Sequence, residues 1–141
     1  TSPRATMIEV EVDRQPVASF VCDGLIVATP VGSTGHALSA GGPILHRETA
    51  ALVLEPICPH TLSNRPVVLP NDRLVSLRVG DKRKKLLLSV DGQPHGWLEY
   101  GDWLEIRKAP EEVRFVHLPG HSWFKLLSQK LHWRGSSAEP K

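Results

Sequence analysis

Cysteine, methionine and tyrosine are scarce in this chain, which has two Cys, one Met and one Tyr in 141 residues. Cys22 and Cys58 form no CxxC pair and are too few for a disulfide framework, so a reducing, cytoplasmic setting is the simplest reading. No apolar run approaches the roughly 20 residues that span a bilayer, and no signal-peptide pattern opens the sequence, which argues against a membrane partner. An excess of charge of one sign is also missing. The formal net charge is only +2, too small to point to nucleic acid yet compatible with an anionic small ligand. No Lys follows the turn Gly32-Ser33-Thr34-Gly35, so a GxxxxGK[ST] phosphate loop is absent, and the same turn has the wrong spacing for the GxSxG elbow of serine hydrolases.

What is present is the composition of a folded domain, with 40% hydrophobic and 23% charged residues. The length suits one domain, large enough to bury roughly two-thirds of the surface its unfolded chain exposes. Thr1-Ser2-Pro3-Arg4 carries no initiator Met and precedes a strand pattern by only a few residues, so the sequence reads as a fragment.

Met7 to Asp13 alternates apolar and charged residues, the period-2 pattern of a half-buried strand. Arg14-Gln15-Pro16 breaks it and Val17 to Val21 resumes, which predicts a hairpin. Leu25 to Thr29 is short and apolar, as in a strand covered on both faces. Further strands are predicted at 51–54, 67–69, 74–79, 86–90, 103–107 and 113–118, separated by the turn dipeptides Gly80-Asp81, Asp91-Gly92, Gly101-Asp102 and Ala109-Pro110. Many short strands at this spacing predict a mostly β, sandwich-like domain. Two helices are expected within it: a short one near Thr34–Ala40 ended by Gly41-Gly42, and a C-terminal one over Ser122–Trp133. The second has Ser122 as its N-cap, Gly135 beyond its end, and Trp123, Phe124, Leu126, Leu127 and Leu131 on an apolar stripe. Residues 1–135 read as one domain and 136–141 as a flexible tail.

The segment with chemical content runs from Asp23 to Pro43: an apolar strand, a Gly/Ser/Thr turn, then one or two helical turns. Small residues let a ligand approach the backbone, and a helix start presents unpaired N–H groups suited to an anion such as a phosphate. By composition alone the same segment serves equally well as a simple change of chain direction.

DGLIVATPVGSTGHALSAGGPI resembles the segment of the NAD kinase family that usually reads DG-(apolar)-TPTGSTAY-SAGGP. The resemblance continues through Pro56-Ile57-Cys58-Pro59-His60-Thr61-Leu62-Ser63-Asn64-Arg65-Pro66, through Leu88-Ser89-Val90-Asp91-Gly92-Gln93 and to Lys130-Leu131-His132-Trp133. Four blocks in order span nearly the whole chain. The resemblance implies the NAD-binding, C-terminal domain of an enzyme that phosphorylates the 2′-hydroxyl of the adenosine ribose of NAD. Such enzymes use ATP or polyphosphate with a divalent, Mg-type metal. It also implies a homodimer or homotetramer, and a missing N-terminal α/β domain. That domain carries a Gly-Gly-Asp-Gly motif, whose Asp is the proposed general base, and an Asn-Glu/Asp pair. Neither motif is in this sequence, because Gly41-Gly42 is followed by Pro43. The chain alone is therefore expected to be inactive and to hold no metal by itself.

Carried over residue by residue, Asp23 matches the family Asp that hydrogen-bonds the dinucleotide, against a plain Asp-Gly turn. Thr34, Gly35, His36, Ala37, Leu38 and Ser39 match the run lining the NAD pocket, against helix capping by the two hydroxyls. Gln93 matches a position near the ligand, against a solvated hairpin residue, and Asp91-Gly92 reads as a turn. Two departures stand out. Gly35-His36 replaces the family Ala-Tyr, which exchanges a phenol face for a smaller, titratable ring. Val31 replaces a Thr and loses a hydroxyl.

The remaining signals read as structural. Cys58-Pro59-His60 lacks a second pair at zinc spacing. Lys82-Arg83-Lys84-Lys85 reads as a solvated hairpin that blunts an edge before it reads as an attractor of phosphate donors. The four tryptophans lie in no basic stripe suited to stacking bases. Two alternatives stay open: a standalone non-catalytic nucleotide-binding module, and a lipid kinase of the diacylglycerol type, from which the TPxGST and SAGGP blocks point away.

Overall fold

The alternating segment near the start forms β1 (Thr6–Val12), which pairs antiparallel with β2 (Gln15–Cys22). The hairpin turns on Asp13 and Arg14, both at positive φ (51° and 64°), and not at the Arg14-Gln15-Pro16 break read from the sequence. Asp13 tolerates this because its carboxylate accepts from the Leu74 amide and the Arg73 guanidinium, each at 3.0 Å. Pro16 is carried inside β2 because that strand is the edge of its sheet and the register slips opposite it, between Val10 and Glu11.

The chain continues through β3 (Gly24–Ala28), the single helical turns α1 (Pro30–Ser33) and α2 (His36–Ser39), β4 (Ala51–Ile57), β5 (Val67–Pro70), β6 (Val75–Val79), β7 (Leu86–Val90), β8 (Gln93–Leu98), β9 (Trp103–Ile106) and α3 (Trp123–Lys130). This computed structural model describes residues 5–60, 65–120 and 122–133. It divides into two units, Thr1–Ala109 and Pro110–Lys141.

In the first unit the strands form a four-stranded sheet in the order β2-β1-β6-β9, a three-stranded sheet β3-β4-β5 and a hairpin β7-β8. The core joins the two larger sheets. Ile8, Val10, Phe20, Cys22 and Val75 from one meet Leu54 from the other, with Leu25, Val27, Leu69 and Ile106 packed around them. This is the expected mostly β, sandwich-like architecture. It differs at β3, which is only half-buried along its length because it lies at a sheet edge; the strand buried on both faces is its neighbour β4. β8 was not predicted, since Gln93-Pro94-His95-Gly96 lacks β-branched residues; Asp91 and Gly92, at φ 48° and 78°, make the two-residue turn into it.

In the second unit α3 is capped by Ser122, whose Oγ accepts from the Lys125 amide at 3.3 Å. The helix ends at Leu131, with His132 at positive φ. The predicted Gly135 cap and the 136–141 tail lie outside the described residues. Leu127 is buried, but Phe124 stays exposed, so the apolar stripe is only partly covered. The strand predicted over 113–118 does not form, and Val116 is 94% exposed. No helix among the described residues is long and apolar enough to cross a membrane.

Candidate functional site

Asp23 sits at the junction of β2 and β3, where its amide donates to the Ile57 carbonyl at 2.9 Å. Beyond the far end of β3 the chain makes two helical turns where the sequence predicts one helix over 34–40. Thr29 caps α1 by accepting from the Gly32 amide through Oγ1 at 3.4 Å, and Pro30 occupies its first turn. The turn closes at Thr34, Gly35 breaks the path, and α2 begins. Each helix is a single turn, so neither develops the dipole of a long helix, and the Gly32 and Ser33 amides are already taken by Thr29.

Ser33 is the clamp of this bend. It is fully buried, donates through Oγ to the Pro30 carbonyl at 2.7 Å and accepts from the Leu45 amide at 3.2 Å. Ala37 is also buried, so its side chain anchors α2 to the body of the fold. Thr34, Gly35, His36 and Ser39 remain exposed and Leu38 half-exposed. The Thr34 hydroxyl donates to the Val31 carbonyl at 3.1 Å, leaving its oxygen to accept. Asp23 at the head of β3 and the Thr34–Ser39 run beyond its end thus belong to one continuous piece of chain. Gln93 is exposed at the start of β8, in the separate β7-β8 hairpin.

Two residues that sequence reasoning passed over belong to the same region. Glu55 lies opposite Ile26 in β4 and is 3% exposed, with Oε2 sealed and lacking a hydrogen-bond partner among the described residues. Burial pushes its carboxyl above the ordinary value. A Cβ built on Gly42 would stand 2.8 Å from the Ala37 carbonyl oxygen and 2.9 Å from Glu55 Oε2, so the turn after α2 is pressed onto this buried acid. A Glu inside the apolar run Ala51–Ile57 was the available signal. Between the ordinary carboxyl pKa and the raised one, the folded state holds more protons than the unfolded, so Glu55 lowers stability as pH rises through that window. Glu55→Gln, which cannot ionise, is expected to raise unfolding stability near neutral pH relative to wild type and to flatten this part of the pH profile, as read by urea titration.

The second residue is His60. Its amide donates to the Val21 carbonyl at 2.9 Å and its Nε2 stands 3.6 Å from Asp23 Oδ1.

Neither Asp23 nor the Thr34–Ser39 run borders either of two hollows found among the described residues; the larger of these, about 670 Å³, is bordered by Ala5, Met7, Val21, Lys82, Arg83 and Tyr100. Its basic run is largely engaged locally: Arg83 with Asp81, Lys85 with Glu99, and Lys82 over the Tyr100 ring. Among the described residues no three His, Cys, Asp or Glu side chains converge.

Comparison with known proteins follows the same lines. The family model of the ATP-NAD kinase C-terminal domain matches residues 1–118. An NAD kinase of Magnetococcus marinus is 45% identical over 92% of this chain and 43% of its own length. One from Gemmatimonas aurantiaca is 46% identical over 95% and 46% respectively. The chain therefore spans under half the length of these curated relatives. Among solved structures, yeast NADH kinase complexed with NADH superimposes with a TM-score of 0.80 at 29% identity, over all of this chain and 44% of that one. An NAD kinase from Archaeoglobus fulgidus in complex with ATP gives a TM-score of 0.67 at 29% identity, over 78% of this chain and 42% of that one. Sequence and fold agree, and the chain belongs to the ATP-NAD kinase C-terminal domain family.

Proposed function

We propose that this chain is the dinucleotide-holding part of an NAD kinase, an enzyme that transfers a phosphoryl group from ATP or polyphosphate to the adenosine ribose 2′-hydroxyl of NAD. The observation that carries the reading is the placement of Asp23 and the exposed Thr34, His36 and Ser39 on one continuous strand–bend–turn segment, clamped from beneath by Ser33 and Ala37. Asp23 accepts hydrogen bonds from ribose or amide donors, Thr34 and Ser39 exchange hydrogen bonds through their hydroxyls, and His36 lays a small ring against the ligand. Gly35, Ala37 and Leu38 shape the run, and Gln93 contributes a side-chain amide from its hairpin.

The exposure of Thr34, His36 and Ser39 fits one wall of a cleft whose other wall, with the Gly-Gly-Asp-Gly carboxylate that takes the hydroxyl proton, is supplied by another segment of the parent enzyme. The divalent metal that neutralises the phosphates belongs with that segment and the nucleotide, and the isolated chain is inactive. Leu87 and Trp97 face each other across β7-β8 and are 52% and 64% exposed, an apolar patch that supports a homodimer or homotetramer. Two unpaired thiols, one of them at the surface, support a cytoplasmic location. Isothermal calorimetry with NAD and ATP on the 141-residue chain and on the longer parent polypeptide tests the assignment. NAD binding that weakens at least about tenfold in His36→Ala is expected; NAD affinity indifferent to His36, Ser39 and Asp23 together would refute it.

A further inference from the structure

We propose that His60 is the positioning residue for Asp23: it holds one carboxylate oxygen so that the other meets the dinucleotide. This rests on the reading of Asp23 given above and extends it to a residue outside the bend.

The two oxygens of Asp23 are in different environments. Oδ1 is sealed from solvent and has no hydrogen-bond partner among the described residues, yet the side chain as a whole is 24% exposed. The exposure therefore lies away from Oδ1, on the side open to a ligand. A buried carboxylate oxygen without a donor is costly, and a donor nearby both relieves that cost and fixes the rotamer. The group facing Oδ1 is His60 Nε2 at 3.6 Å, just beyond hydrogen-bonding distance, on a side chain that is 28% exposed.

The backbone is built to bring this pair together. Asp23 N donates to Ile57 O and His60 N donates to Val21 O, both at 2.9 Å, so the ends of β2 and β4 are cross-tied on either side of the contact. Cys58 between them stands at φ 46°, a left-handed conformation that a side-chain-bearing residue adopts only where the surroundings impose it. That kink returns the chain from β4 to Val21 and delivers the imidazole to Asp23. A small closure lets the Nε2–H donate to Oδ1, and the free oxygen then presents its lone pairs in a fixed direction. The other titratable groups along this stretch are Cys22, whose thiol is buried on the core side, and Cys58, which is exposed.

The test is calorimetric NAD affinity of the full-length protein carrying this chain, as wild type, Asp23→Ala, His60→Leu, His60→Gln and the double Asp23→Ala/His60→Leu. Gln places an amide donor near the Nε2 position and Leu fills the space without one. His60→Leu is expected to weaken NAD about tenfold, the loss of one hydrogen bond to a charged group. His60→Gln is expected to stay within about threefold of wild type, and the double variant to bind no worse than Asp23→Ala. Melting temperatures that agree between the Leu and Gln variants separate this from a packing defect. Equal weakening by Leu and Gln, or a His60→Leu effect that adds fully to that of Asp23→Ala, would overturn the positioning role while leaving Asp23 in the site. An Asp23→Ala protein that binds NAD like wild type would overturn the assignment of Asp23 itself and this inference with it.

Discussion

Purified free of host kinase, the 141-residue chain is expected to turn NAD over at least about a thousandfold more slowly than a polypeptide in which it follows a Gly-Gly-Asp-Gly segment. Phosphoryl transfer asks little covalent chemistry of the protein; the rate comes from holding donor and acceptor in line and from charges placed around the transferring group. On the reading proposed above, the segment from Asp23 to Ser39 supplies hydroxyls, a carboxylate and an imidazole for holding, but its exposed run has no Lys or Arg to set against the transferring phosphate. Neither carboxylate of this region is placed to take the 2′-hydroxyl proton: Asp23 is at the far end of β3 from the bend, and Glu55 is sealed, with burial pushing its carboxyl above the ordinary value. A coupled assay for NADP, run with the isolated chain and with the mixture of chain and catalytic segment, reads the difference. Turnover by the isolated chain within tenfold of the parent would mean that a base and a phosphate clamp exist on this surface after all.

The second large effect is expected at Gly42. Its amide donates to the Ala37 carbonyl at 2.9 Å, and a Cβ there would sit 2.8 Å from that same oxygen and 2.9 Å from Glu55 Oε2. The carbonyl is backbone and the carboxylate is enclosed, so neither yields cheaply. Gly42→Ala is therefore expected to cost about 1–3 kcal/mol in urea unfolding, and to displace α2 with His36 and Ser39, weakening NAD in the same step. Gly41 is the control. It has φ 99° but nothing within 4 Å of an added Cβ. Gly41→Ala thus meets only the conformational penalty of a left-handed position, about 1 kcal/mol, with the turn left in place. Equal losses at the two glycines would show that backbone conformation, not the press of the turn on Glu55, governs this region.

Much of the fold could be read directly from residue order, for physical reasons that differ by element. β1 announced itself because one of its faces is buried and the other is not, so Ile8 and Val10 alternate with Glu9 and Glu11. β8 was silent because it pairs with β7 alone and lies exposed, where Pro94 and Gly96 are tolerated and no alternation is imposed. The segment 113–118 misled in the opposite sense: it has the composition of a strand but finds no neighbour to pair with among the described residues. The expected helix over 34–40 became two turns because Pro30 and the Thr29 cap started it early and Gly35 interrupted it.

The site was legible only in part. Asp23 and the exposed hydroxyls stood in a recognisable block, but composition gave no sign that Ala37 turns inward. Glu55 stands where an apolar run meets its first charge, which resembles a strand end, whereas β4 continues through it to Ile57, paired there with β3. His60 was read as packing because its relation to Asp23 depends on the kink at Cys58, a backbone angle that no spacing rule supplies.

A crystal structure of the full-length protein with NAD bound tests the central claim most directly. The prediction is a dinucleotide lying along the Thr34–Ser39 run, with a sugar or base-edge donor about 3 Å from the exposed oxygen of Asp23. NAD bound elsewhere, with Asp23 and the bend closed off by other protein groups, would contradict it.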